Sequence, residues 1–284
     1  MKCQDINLRD PFVLCENGKY YMYGSRAKNF AVRSGGFDVY VSEDLENWSE
    51  PVECFRSEQY GLNEGTNWAP EVHRYRGGYY MFATFKQEDG LRGTYILKAD
   101  SPMGPFVPHS SGAVTPDGWQ CIDGTLYLNR QGRPYIVFCH ECAQIIDGTI
   151  CYAPLNEDLT ALDGEVVTLF CATSPEWVTE VIPGKRYITD GPYMYRSCTD
   201  ELFMLWSTFI GGKYAQCLVK FNGGELGMDY VQMPPLITDD GGHGMIFRAE
   251  DRLCLTFHRP NSRENERPVF VTLRDEGDAL SIEA

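Results

Sequence analysis

The chain has 284 residues and a formal net charge of −15. Phosphate recognition needs a clustered basic face, so this balance excludes a nucleic-acid partner. No stretch approaches the roughly 18 apolar residues of a membrane span, and Met1-Lys2-Cys3-Gln4-Asp5 opens no apolar signal core, so a cytoplasmic protein with no membrane partner is expected.

Taken in order, the chain repeats one pattern. Arg9-Asp10-Pro11-Phe12-Val13 is a polar head running into an apolar strand; Glu16-Asn17-Gly18-Lys19 supplies turn residues, and strands are predicted at 20–24 and 37–42. Residues 56–67 form a longer polar connection of the kind that shapes pockets. Trp68-Ala69-Pro70-Glu71-Val72 then opens a second unit, with the turn Arg76-Gly77-Gly78 and strands at 79–85 and 93–99. A third begins at Ile122-Asp123-Gly124-Thr125-Leu126 and continues through strands at 134–139 and 148–155. The segment 171–186, with Trp177 and Glu180, is the longest interruption and a candidate lid. A fourth unit starts at Thr189-Asp190-Gly191-Pro192, with strands at 202–207 and 214–221. The fifth starts at Gly242-His243-Gly244-Met245-Ile246, with strands at 253–258 and 268–274. Amphipathic helical periodicity is hard to find, while 17 Tyr and 15 Phe favour strands.

The heads fall at 10, 69, 123, 190 and 243, at intervals of 59, 54, 67 and 53 residues. A period near 50 with three or four strands per unit predicts an all-β, five-bladed β-propeller, with residues 1–284 as a single domain. The first strand of each blade lines the channel, so the heads converge at one mouth, and antiparallel second strands return there. Asp10, Asp123 and Asp190 then share a cavity, surrounded by Ser25, Arg26, Phe85, His140, Glu141, Ser207 and Arg259. Eleven cysteines make an odd count for a disulfide framework, and a reducing compartment suits them. Cys139-His140-Glu141-Cys142 has one C-x-x-C without the second half that a zinc site needs.

Three carboxylates around one cavity push their proton affinities apart, as acid–base chemistry requires. Glycoside hydrolysis uses such a pair, held roughly 6.5–9.5 Å apart when a water must fit between base and sugar. Arg9-Asp10-Pro11, Trp68-Ala69-Pro70, Ile122-Asp123-Gly124, Thr189-Asp190-Gly191-Pro192 and Gly242-His243-Gly244 together resemble the motifs of glycoside hydrolase family 43, over essentially the whole chain. The resemblance implies a five-bladed propeller acting on arabinose- or xylose-containing oligosaccharides. It implies Asp10 as general base, Asp123 as the residue that orients and tunes the acid, and Asp190 as general acid. It also implies Arg259 as a substrate-binding arginine and His243 as a channel histidine beside a calcium ion or water. No organic cofactor is needed. Trp68, His140 and Phe85 are further substrate-binding candidates at the mouth. One departure stands out: the family's acid is usually Glu, and Asp190 reaches about 1.5 Å less far. Glu141 and Glu180 are the alternative acids. The reading is an inverting exo-glycosidase releasing a terminal α-L-arabinofuranose or β-D-xylose; the rivals are a non-catalytic carbohydrate-binding propeller and a propeller enzyme acting on another sugar.

Overall fold

The structure is a computed structural model that describes residues 1–26, 35–62, 65–181, 186–227, 229–262 and 264–283. Parts of both connections singled out above, 63–64 and 182–185, lie outside the described residues.

Among the described residues, twenty strands form five antiparallel four-stranded sheets, each in sequence order, arranged as a five-bladed β-propeller. Blade one holds β1 (Leu8–Glu16), β2 (Lys19–Arg26), β3 (Phe37–Ser42) and β4 (Val52–Phe55). Blade two holds β5 (Asn67–Tyr75), β6 (Gly78–Lys86), β7 (Arg92–Ala99) and β8 (Val107–Pro108). Blade three comprises β9 (Cys121–Leu128), β10 (Pro134–His140), β11 (Thr149–Pro154) and β12 (Val167–Cys171). Blade four comprises β13 (Asp190–Arg196), β14 (Leu202–Ile210), β15 (Lys213–Phe221) and β16 (Tyr230–Ile237). Blade five comprises β17 (Gly242–Arg248), β18 (Leu253–Arg259), β19 (Arg267–Asp275) and β20 (Leu280–Ile282). Apolar side chains fill the spaces between blades: Tyr23, Phe37 and Phe85 between the first two, Trp206 and Phe221 beside the third and fourth, Leu255 and Phe257 beside the fourth and fifth. All eleven cysteines are free. Among the described residues no helix is long and apolar enough to cross a membrane.

Every first strand carries the same irregularity. Arg9, Trp68, Ile122, Asp190 and Gly242 pair with Ser25, Thr84, Cys139, Ser207 and His258; then two residues face one, and pairing resumes. The first residue of each bulge has positive φ: Asp10 (53°), Ala69 (45°), Asp123 (57°), Gly191 (50°) and His243 (52°). A bulge bends the strand and re-aims its side chain, which is how a strand wall presents polar groups to a channel. The repeat in blade four is therefore one residue later than the sequence pattern suggested. Gly191 occupies the position of Asp10, Asp123 and His243, and Asp190 occupies that of Arg9 and Trp68.

The bulge amides also fasten neighbouring blades. The residue opposite the start of one bulge accepts the backbone N–H of the next: Ser25 Oγ from Ala69 (2.7 Å), Thr84 Oγ1 from Asp123 (2.9 Å), Ser207 Oγ from His243 (2.7 Å) and His258 Nδ1 from Asp10 (3.2 Å). Between blades three and four the corresponding residue is Cys139, and the Gly191 N–H instead reaches Asp123 Oδ2 at 3.1 Å. The bond from the Asp10 amide to His258 joins blade one to blade five, so the ring closes without exchanging a strand. Arg9 Nη1 with buried Glu266 Oε1 (2.9 Å), and the Leu8 N–H with the Glu266 carbonyl (3.3 Å), complete the seam.

Candidate active site

A cavity of about 240 Å³ opens at one mouth of the ring, lined by Asp10, Asp123, Asp190, His243 and Tyr214, with Arg9, Trp68, Glu141, Ile122, Ile188, Phe209 and Asn261 completing its wall. The three aspartates predicted to meet do meet. His243 Nδ1 lies 3.2 Å from Asp10 Oδ1 and 3.8 Å from Asp123 Oδ2.

Their surroundings differ. Burial alone would raise the pKa of Asp10, but His243 and Arg9 outweigh it, the Ser25 hydroxyl donates to Oδ2 at 2.6 Å, and the carboxyl is held at about 2. His258, 0% exposed, uses Nδ1 to accept the Asp10 amide, which places its ring proton on Nε2, 3.4 Å from Asn261 Oδ1. Its burial, with Arg9 close by, holds it neutral, at about 3. Asp123 is pushed well above the usual carboxylate range by burial and then by the charge of Asp10. Burial, followed by repulsion from Asp123, lifts Asp190 to about 7, against the opposing pull of His243 and the Tyr214 hydroxyl, which donates to Oδ2 at 2.9 Å. One carboxyl is thus ionised and another is poised to hold a proton near neutrality, the arrangement that general acid–base chemistry uses.

The remaining candidates separate. Trp68 is on the wall, with the Arg92 guanidinium 5.1 Å from its ring centroid. Arg92 also binds Glu141, with Nε 2.8 Å from Oε2, so the Glu141 carboxylate lines the cavity already engaged by a cation. Glu180 is exposed and outside the lining, while its neighbour Thr179 is tied to the Phe209 carbonyl (2.8 Å). Phe85 is 0% exposed, packed on Phe37, Phe55 and Tyr95, because its side of the strand faces the interblade core. His140 stacks on Trp119 (4.3 Å) and bonds Gln144, away from the cavity. Arg259 pairs with Asp239 (2.6 Å), and the lining arginine is Arg9. Arg26 is likewise paired, to Asp38. For His243, a calcium ion would require six to eight oxygen ligands. Glu71, which lines a small pocket with His243, bonds His73 Nε2 at 3.0 Å, and among the described residues no three His, Cys, Asp or Glu are arranged to hold a metal.

Tyr214 and Asn261 were missed from sequence. Tyr214 follows the Gly211-Gly212 turn that carries blade four's second strand into its third, so its placement at the mouth was implicit in the same topology that located Ser207. Asn261 lies beyond β18, where no strand pattern reaches.

Comparison with known proteins agrees with this geometry. Residues 5–270 match the family described as "Glycosyl hydrolases family 43". The structure superposes on one titled endo-arabinase from Bacteroides thetaiotaomicron VPI-5482 with a TM-score of 0.89 and 36% identity, covering 98% of this chain and 99% of that one. An α-L-arabinofuranosidase structure from Lactobacillus brevis shares the fold at TM-score 0.78 and 17% identity, covering 99% and 97% of the two chains. The curated "Xylosidase/arabinosidase 43A" of Humicola insolens is 23% identical over 146 residues, which is 47% of this chain and 44% of that protein's length. With five bulged heads in order, differently poised carboxyls at one mouth, and a family match over nearly the whole length, the chain is a glycosidase that belongs to glycoside hydrolase family 43, whose mechanism is generally inverting.

Proposed function

We propose that the chain is an exo-acting inverting hydrolase releasing a terminal pentose, with α-L-arabinofuranose the favoured sugar and β-D-xylose the alternative. The observation that carries the mechanism is the opposed bias of Asp10 and Asp190 across one cavity. Asp10, ionised, takes a proton from the attacking water. Asp190 gives its proton to the glycosidic oxygen as the C–O bond breaks, and the anomeric centre inverts. Asp123 holds the acid in place through the amide of Gly191, the residue that follows it. Trp68, Ile122 and Phe209 supply apolar wall for the sugar, and Arg9 and Asn261 offer polar contacts to its hydroxyls.

Arabinose is favoured because the 36%-identical structure is described as an endo-arabinase. The same description favours a second reading, internal cleavage. Incubation with 4-nitrophenyl α-L-arabinofuranoside, 4-nitrophenyl β-D-xyloside and linear arabinan decides among these. The expected result is nitrophenol from the arabinofuranoside and free arabinose as the first product from arabinan. Oligosaccharides appearing before monosaccharide would establish the endo reading. Turnover of none of the three would remove the pentose assignment.

A further inference from the structure

We propose that Tyr214 is a positioning residue for Asp190: its hydroxyl occupies Oδ2, so that the transferable proton is carried on Oδ1, and it stabilises the carboxylate left after transfer. The inference rests on Asp190 being the acid.

Tyr214 Oη is 2.9 Å from Asp190 Oδ2, and both residues line the cavity. Among the described residues no hydrogen bond engages Oδ1. The tyrosine ring is clamped, with the Phe209 ring 5.3 Å away on one side and the His258 ring 5.5 Å away and nearly parallel on another. The backbone of Gly242 closes the packing: a Cβ there would lie 2.8 Å from Tyr214 Cε1. A ring this constrained cannot follow a moving carboxylate, so the carboxylate is fixed to the ring. Burial and the charge of Asp190 raise the phenol well above its ordinary value, so it remains a donor throughout.

An aspartate has only one χ angle before its carboxyl plane and cannot use a longer stem to find the glycosidic oxygen. Orientation must come from a partner. The step balances simply: the Oδ1 proton moves to the leaving oxygen, the negative charge spreads over both carboxyl oxygens, and the Tyr214 O–H strengthens its bond to Oδ2 without transferring. A hydrogen bond to a charged group of this kind favours the ionised form by about one to two pH units.

Tyr214→Phe keeps the ring and removes only the hydroxyl. Rates on the methyl and 4-nitrophenyl α-L-arabinofuranosides at pH 5 should fall by about tenfold for the methyl glycoside, which needs acid assistance, and by less than about threefold for the activated one. The alkaline limb of kcat/KM should move up by about one pH unit. Equal losses on both substrates with an unmoved limb would overturn the proposal and leave Tyr214 as packing. A second measurement needs no substrate: melting temperature against pH for the wild type and Tyr214→Phe, each compared with its Asp190→Asn counterpart. The midpoint of that difference reports the Asp190 titration and should rise by about one pH unit in the phenylalanine variant; an unchanged midpoint would overturn the proposal whatever the sugar. If Asp190→Asn shows no dependence on leaving group while the midpoint does move, the acid assignment fails and the Tyr214–Asp190 coupling survives.

Discussion

The proposed mechanism needs Asp190 to hold a proton at the pH where Asp10 has lost one, and the two carboxyls have different company. Asp10 has Arg9, His243 and the Ser25 hydroxyl; Asp190 is buried near Asp123 and has one neutral donor. The kcat/KM profile should therefore keep full activity through the acidic range and fall through an alkaline limb near pH 7, where burial and Asp123 place the Asp190 carboxyl. Asp190→Asn should lower kcat by about 10²–10⁴-fold on a poor leaving group. Glu141→Gln should leave the limb in place, because that carboxylate is engaged by Arg92. The same environment has a stability consequence. The folded pKa of Asp190 lies above its unfolded value of about 3.9, so the folded state binds the extra proton between these values. Stability is accordingly lost as pH rises from about 4 to 7. Asp190→Asn removes that loss, so its melting temperature should exceed the wild type's by about 5–10 °C at pH 8 and the gain should vanish near pH 4. A gain equal at both pH values would show that Asp190 is not strained by ionisation.

At the scale of the strand, the bulge is the working unit. It breaks the alternation of side chains in each first strand and sets a positive-φ residue at the channel, where Asp and His tolerate the conformation better than most and Ala69 does not gain from it. Blade four uses Gly191 because the His243 ring occupies the place of a side chain: a Cβ would lie 2.6 Å from His243 Cδ2. Gly191→Ala should push the histidine away from Asp10 and Asp123, costing about 1–3 kcal/mol of stability through strain and far more in rate than that loss explains. Urea denaturation beside kcat would check it; a variant with normal kcat would show that the histidine's placement is dispensable. The one-residue offset at this blade was invisible to pattern reading because Asp190-Gly191-Pro192 matches Asp10-Pro11 and Asp123-Gly124 equally well by residue type. Only strand register, Asp190 opposite Ser207, separates them.

At the scale of the ring, closure rests on side chains instead of a shared strand. Arg9 spans the seam between blades one and five, binding Glu266, whose side chain is 0% exposed, and Asn261 at 2.8 Å. Removing the cation would leave a buried carboxylate, so Arg9→Met should cost about 3–5 kcal/mol, measurable as a lower denaturation midpoint; a loss under about 1 kcal/mol would place closure in the apolar seam instead. The spacing of five polar heads, the turn residues between strands and the aromatic second strands determined the fold and gathered Asp10, Asp123, Asp190 and His243, because a propeller turns periodicity along the chain into convergence at one mouth. The assignment of Phe85, His140 and Arg259 did not come out of that logic. Being near the end of a returning strand places a residue at the right height but does not say which face it presents, and these three turn toward the interblade core, Trp119 and Asp239. Tyr214 and the Arg92–Glu141 pair depend on contacts between residues 24 and 49 positions apart. Local pattern and residue type determine which strands form and where they point; partners, burial and the resulting proton affinities were decided only when the blades packed, because each depends on groups that the sequence keeps far apart.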